Sequence, residues 1–430
     1  MSNWSGAVSD LSADGAAVDG RFDVLVVGGG HAGVQVAVVL AASFEGSIAL
    51  LSAERTEPYE RPPLTKGFLT GEVLEHDLLL RPTGFWKTSG VSLLLDHRVA
   101  EVDAERHTVT TADGRRFAYG TLVWAAGADP LRIGITGAGM RGVHELRTLD
   151  DTARFRTEVE PGTRVVVIGG GYVGLEAASA SVKLGADVTI VEAQPRLLSR
   201  VTGTDVADYV LRRHRSSGAT VELDAPVTGL VGCDGAVTGV QLADGREVPA
   251  DVVLVSVGIV PATTVLASAG ARCSNGIEVD LQGRTSLPDI YAAGDCTCFP
   301  DGDGGRIRLE SLQNAVEQGE VVAKTILGND VSYHVVPYFW SNQLDMKIKT
   351  IGIFTGHDQA LVRGDQDGGS FSVVYLREGR VCAVDAVNSM KDYVDARLVL
   401  GRRVAVDQVC DSSARLRDAV IADQQGDGAA

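Results

Sequence analysis

Residues 164–178 read RVVVIGGGYVGLEAA, and residues 23–37 read DVLVVGGGHAGVQVA. The two stretches follow one pattern, 141 residues apart. Each opens on a β-branched run, Val24–Val27 or Val165–Ile168, too short for a helix and suited to a buried parallel strand. A glycine turn follows, then an apolar stretch of helical length. The glycines fall at Gly28, Gly30 and Gly33, and again at Gly169, Gly171 and Gly174. At this spacing the first glycine makes the tight turn, the second lets backbone approach a pyrophosphate, and the third packs helix on strand. The helix then aims its free N–H groups and positive dipole end at the phosphates.

A second strand ends on an acid in both copies. DVTIVEA puts Glu192 18 residues after Gly174, and SIALLSAER puts Glu54 21 residues after Gly33. Either carboxylate can accept hydrogen bonds from a ribose diol. The chain is therefore expected to hold two dinucleotides, one bound permanently and one passing through. A nicotinamide delivers a hydride and a flavin can accept it.

Bulk properties narrow the partners. A chain of 430 residues exceeds one compact core, so two or three domains are expected. Apolar residues at 45% and charged residues at 22% make an ordinary soluble mixture. No apolar run approaches the roughly 18 residues of a membrane span. The N-terminus lacks the basic start and apolar centre of a secretory signal, and reads as a disordered lead. The net charge of −17 argues against nucleic acid. Six cysteines with no CxxC suit a reduced, cytoplasmic chain. Cys296 and Cys298 lack further ligands nearby, so they read as small buried hydrophobes and no metal site is expected.

Beyond the fingerprints, several motifs occur in order: PYERPPLTKGFL (58–69), LVWAAGADP, VVLVSVGIVP, DIYAAGDCTCF, SLQNAVEQG (311–319) and PYFWSNQ (337–343). With these, residues 22 to 410 resemble the FAD-dependent pyridine-nucleotide oxidoreductases with two dinucleotide-binding domains, of the ferredoxin-reductase type that serves bacterial oxygenase systems. The resemblance implies FAD at Gly28, Gly30, Ala32, Gly33, Glu54, Arg61, Lys66, Val99, Arg147, Asp295 and Leu312, with Asp295 on the ribityl chain. It implies NADH at Gly169, Gly171, Gly174, Glu176, Glu192 and Gly258. Lys66 and Glu176 are then the catalytic pair, meeting near flavin and nicotinamide. The chain departs from the family at Ser52-Ala53, where an acid is common, and at Asn342, where relatives carry Asp; the first connector reads AAG rather than ATG. His31 stands where relatives mostly have an apolar residue and reads as a helix-turn filler.

Missing residues discriminate within the family. No CxxxxC or CxxC occurs, and no cysteine lies between Ala49 and Lys66. Without a thiol relay, reducing equivalents must leave the flavin directly. The resemblance implies hydride transfer from NADH to flavin N5, then single electrons to a [2Fe-2S] ferredoxin serving an oxygenase. A rubredoxin reductase, an NADH oxidase, and a redox-sensing FAD/NADH-binding interaction protein remain alternatives, as do monomer and homodimer. Residues 390–417 hold Lys391, Arg397, Arg402, Arg403, Arg415 and Arg417 against four Asp, a local excess of cations in an acidic chain. That excess suits an acidic protein partner.

The expected fold is α/β: two Rossmann-type dinucleotide-binding domains, the NAD domain inserted in the FAD domain, plus a C-terminal α+β domain. The FAD domain covers 20–128 and 263–333, the NAD domain 129–262, and the C-terminal domain 334–415. Linkers are expected at Thr157–Arg164 and Gly258–Pro261. Residues 1–19 and 416–430 are expected to be disordered.

Overall fold

The computed structural model describes residues 18–422 apart from 303 and 335. Its described residues form two compact units. The first comprises the chain up to Arg61, Leu74–Asp129 and Ile259–Val335; the second comprises Pro62–Val73, Pro130–Gly258 and the chain from Val336.

In the first unit, the apolar run inside Gly20–Val27 forms the strand its β-branched residues favour, buried from Val24 to Val27. Parallel neighbours are Ile48–Leu51 and then Val91–Leu94 on one side, and Arg116–Trp124 on the other. The nine-residue strand Arg116–Trp124 is long enough for two further partners besides Gly20–Val27. Its first half pairs antiparallel with Thr108–Thr111, and its end pairs parallel with Ile290–Ala292. The helices His31–Ala41 and Leu312–Ile326 pack together closely, because a Cβ on Gly319 would lie 2.6 Å from the Ala32 carbonyl oxygen. That approach places the start of the fingerprint helix beside the later segment of the unit.

The second unit carries a five-stranded parallel sheet in the order Thr220–Glu222, Asp187–Val191, Arg164–Ile168, Val252–Val255, Val143–His144. A three-stranded meander, Val227–Cys233, Ala236–Leu242 and Glu247–Pro249, flanks it. Tyr338–Gln343, Met346–Gly352, Gln359–Asp365, Ser370–Arg377 and Arg380–Val387 form an antiparallel sheet, followed by the helix Met390–Val399. Both sheets therefore match the expected α/β class with its α+β completion.

The two compact units group the expected domains in a way their order along the chain does not announce. The NAD-type and C-terminal regions share one core, in which Val165, Val167 and Leu175 pack with Met346, Phe371 and Tyr375. Polar contacts join them too: the Gly203 N–H donates to Tyr375 Oη at 3.0 Å, and Arg213 pairs with Asp345 at 2.7 Å. Secondly, Pro62–Val73 belongs to this unit, since Leu69 enters the same core and Lys183 pairs with Glu72 at 2.5 Å. Thirdly, Thr157–Arg164 is no linker: it ends the helix Leu149–Glu158 and leads into the strand Arg164–Ile168. The expected disordered ends lie mostly outside the described residues. Val18 is nonetheless buried, and Leu416–Ala419 forms a turn whose Leu416 and Ala419 fill the C-terminal core. Apolar burial explains both shifts.

Candidate functional site

In the first unit, Gly28 has φ +117°, a conformation closed to most side chains, and a Cβ there would strike the Ala125 carbonyl. A Cβ on Gly33 would strike the Gly28 carbonyl, so helix and turn touch through glycine alone. Gly30 caps the helix His31–Ala41 with no side-chain hydrogen bond, and no acid stands in its first turn. A Cβ on Gly30 would meet nothing within 4 Å. The buried Nε2 of His31, at the same turn, has no partner. Free helix N–H groups, open space at Gly30 and an unmet imidazole nitrogen together fit a dinucleotide pyrophosphate.

The acid near this turn sits differently from its counterpart. The Gly28 N–H donates to Leu51 and the Gly169 N–H to Val191, each at 2.8 Å, which puts Ser52 in register with Glu192. Glu54, two residues further on, accepts from Tyr59 Oη at 2.5 Å and from Arg61 Nη2 at 2.7 Å. The Arg61 guanidinium lies 5.4 Å from the centre of the Tyr59 ring. Burial opposes the Arg61 charge, yet Glu54, Tyr59 and Asp295 more than offset it and raise its pKa. Glu54, Arg61 and Asp295 thus form one charged cluster. Gln318 holds the Asp295 turn in place: its Oε1 accepts the Gly294 N–H at 2.8 Å and the Thr297 hydroxyl at 2.9 Å. Leu312 opens its helix directly after the cap Ser311. Val99 is buried at the start of the strand Val99–Asp103. Arg147 and Lys66 fall in the second unit, Arg147 one residue before the helix cap Thr148.

The second unit repeats the turn. Gly169 has φ +110°, Gly171 is an uncapped N-cap with open space at its Cβ position, and Gly174 presses on the Gly169 carbonyl. Glu192 Oε2 accepts the Gly170 N–H at 2.6 Å and its Oε1 accepts the Gln194 N–H at 2.8 Å. Gly258, at φ +124°, lies close to the exposed Arg200: its Cβ position is 3.4 Å from Nη2. These residues fit a second dinucleotide.

One turn into the fingerprint helix Tyr172–Lys183, Glu176 is buried. Lys66 Nζ stands 2.5 Å from its Oε2 and also donates to the Pro62 carbonyl at 3.0 Å. The Thr65 hydroxyl donates to the same Oε2 at 2.6 Å, and Ser341 Oγ donates to Oε1 at 2.6 Å. The structure so brings together the two residues singled out as catalytic, and an ammonium only 22% exposed is held by a carboxylate 6% exposed. Thr65, Gln318 and Ser341 escaped the sequence reading. Each lies inside a quoted motif, but nothing in its spacing says which neighbour it meets. The thiol of buried Cys296 is pushed up to about 12 by burial, which leaves it an inert core residue.

Residues 22–319 match the family described as pyridine nucleotide-disulphide oxidoreductase, and residues 338–420 match a reductase C-terminal domain. The chain is 45% identical over 393 residues to a ferredoxin–NAD(P)(+) reductase of Sphingomonas sp., covering 90% of this chain and 95% of that one. It is 43% identical to the ferredoxin reductase subunit of a 5,5'-dehydrodivanillate O-demethylase of Sphingobium sp., covering 94% and 99%. Among solved structures, the covalent putidaredoxin reductase–putidaredoxin complex matches with a TM-score of 0.89 at 32% identity, covering 94% and 98%.

Proposed function

The chain belongs to the pyridine nucleotide-disulphide oxidoreductase family, and from that premise we propose that it is an FAD-containing, NADH-dependent reductase of a [2Fe-2S] ferredoxin serving an oxygenase in the cytoplasm. The observation that carries this reading is the lack of any cysteine between Gly28 and Glu192, where a disulphide relay would stand. When bound, FAD supplies the conversion between a two-electron hydride donor and a one-electron acceptor. The first glycine turn, with Arg61, Glu54 and Asp295, holds the resident dinucleotide. The second, with Glu192 on the ribose, receives NADH. Lys66 Nζ is fixed in place by the Glu176 carboxylate at 2.5 Å and the Pro62 carbonyl at 3.0 Å. An ammonium held in this way would offer positive charge to a bound ring that gains negative charge on reduction. Electrons pass to a protein partner attracted by the exposed Lys391, Arg397, Arg402, Arg403 and Arg417; Arg415 is tied to buried Asp395 at 2.5 Å and contributes less.

The test is direct. The protein, reduced anaerobically with NADH, is mixed with [2Fe-2S] ferredoxins, and flavin and iron–sulfur absorbance are followed. Reoxidation by a ferredoxin faster than by oxygen or rubredoxin is the expected result. Fast reoxidation by oxygen would identify an oxidase. Slow reoxidation by every acceptor would identify a sensing protein.

A further inference from the structure

Glu176 receives more than Lys66. Inside the second unit a line of hydrogen bonds runs toward its other oxygen in a single direction. His214 Nε2 stands 3.1 Å from Gln343 Oε1, Gln343 Nε2 donates to Ser341 Oγ at 2.9 Å, and Ser341 Oγ donates to Glu176 Oε1 at 2.6 Å. An amide oxygen only accepts, so His214 must carry its proton on Nε2. Every donor after it points at the carboxylate. Ser341 and His214 are 0% exposed and Gln343 is 1% exposed, on two different elements, the strand Tyr338–Gln343 and the helix Thr204–Ser216.

We propose that Ser341, backed by Gln343 and His214, is a positioning residue for the Lys66–Glu176 pair. With Oε1 taken by Ser341, Oε2 of the buried Glu176 is the oxygen that meets Lys66 at 2.5 Å and Thr65 at 2.6 Å. Ser341 fixes the carboxylate plane by donating to Oε1 at 2.6 Å. Gln343 matters because a free serine hydroxyl would rotate. The amide N–H occupies a lone pair of Ser341 Oγ, which turns the serine proton toward Glu176. His214 in turn holds the amide from flipping, and burial keeps its imidazole below the usual pKa, hence neutral. Three buried polar side chains that merely satisfied one another would need no common direction. These converge on the one carboxylate that binds Lys66. The proposal rests on the reading of Lys66 and Glu176 as the pair at the reacting centre.

The experiment uses the FAD-loaded protein and single-turnover reduction by NADH, with Ser341→Ala, Ser341→Thr, Glu176→Gln and the double variant Glu176→Gln/Ser341→Ala. Ser341→Ala is expected to lower the limiting rate about tenfold or more, with NADH half-saturation unchanged. Ser341→Thr keeps the hydroxyl and should restore the rate. The double variant should be no slower than Glu176→Gln alone, because Ser341 acts only through that carboxylate. A readout apart from turnover is the ammonium resonance of Lys66 in protein labelled with 15N-lysine: present in the parent and Ser341→Thr, lost in Ser341→Ala. If Ser341→Ala does not fold, Ser341→Cys, a poor donor, replaces it with the same expectations. A Ser341→Ala protein at full rate, or additive losses in the double variant, overturns the proposal while leaving the pair in place. An unchanged rate in Glu176→Gln overturns the underlying reading as well.

Discussion

Glu192 accepts the backbone N–H of Gly170 at 2.6 Å, so the acid ending its strand is tied to the middle of the glycine turn. A carboxylate anchored there is placed for the ribose that the proposed function assigns to it. On the proposed reading it would accept hydrogen bonds from a 2′-hydroxyl and repel a 2′-phosphate. Arg196 offers the phosphate no help, since its guanidinium donates to the Thr202 carbonyl at 2.7 Å and the Ser199 carbonyl at 2.9 Å. NADH should therefore be preferred over NADPH by about tenfold or more in kcat/KM, a difference of only about 1.4 kcal/mol. Equal values for the two nucleotides would take Glu192 off the ribose.

Lys66 and Glu176 should behave as a unit. Removing one partner of a buried pair leaves the other uncompensated, at a cost of about 3–5 kcal/mol. The partial exposure of Lys66 reduces that cost, so Lys66→Met should still fold and retain FAD. Its single-turnover reduction by NADH should nonetheless slow by about a hundredfold. A parent-like rate constant in stopped-flow measurements would refute this.

Arg363 is the largest fully buried side chain among the described residues. It pairs with Asp392 at 3.0 Å and donates to the carbonyls of Val409 at 3.0 Å and Ala414, tying the sheet to the short helix Val406–Cys410 and the residues after it. Arg363→Met leaves the buried Asp392 with only the Ser372 and Ser389 hydroxyls as partners and several carbonyls unmet, and should destabilise by about 3–5 kcal/mol. Arg363→Met/Asp392→Leu should recover part of the loss, as read by thermal unfolding. A double variant no more stable than the single one would assign the loss to the carbonyls alone.

His31 carries a pH dependence. Burial first, and the Arg61 charge second, lower its pKa from 6.5 to about 4. Between these values the unfolded chain takes up a proton that the folded chain refuses. Stability is thus fully present above about pH 6.5 and is lost as pH falls toward 4. In FAD-free protein, His31→Gln should flatten the unfolding midpoint over that window. Parallel curves for parent and variant would contradict a buried neutral imidazole.

The partner surface is open to charge reversal. Arg402 and Arg403 are exposed, so replacing both by Glu should not disturb the fold. It should raise KM for ferredoxin severalfold, with a loss that shrinks as salt shortens the Debye length below about 10 Å. Reduction of ferricyanide should stay unchanged. If ferredoxin kinetics also stay unchanged, docking lies elsewhere, with Lys347 and Lys349 next to be reversed.

Local spacing alone made much of this protein legible. Gly28, Gly30 and Gly33, and their repeats at Gly169, Gly171 and Gly174, announce strand, turn and helix because the contacts that demand glycine lie within a few residues of each other. The same holds for the buried run Val24–Val27 and for the cap Ser311 before its helix. Chain order could not say that Ser52, rather than Glu54, stands in register with Glu192, because register depends on hydrogen bonds to a strand many residues away. Nor could it place Pro62–Val73 with the second unit, or merge the NAD-type and C-terminal regions into one core, since an apolar residue such as Leu69 or Tyr375 carries no label of its partners. The line from His214 through Gln343 and Ser341 to Glu176 is likewise tertiary. Hydrogen bonds are directional and short-ranged, so only the folded chain, which brings residues 176, 214 and 341 within 3 Å or so of successive partners, decides which polar side chains answer one another.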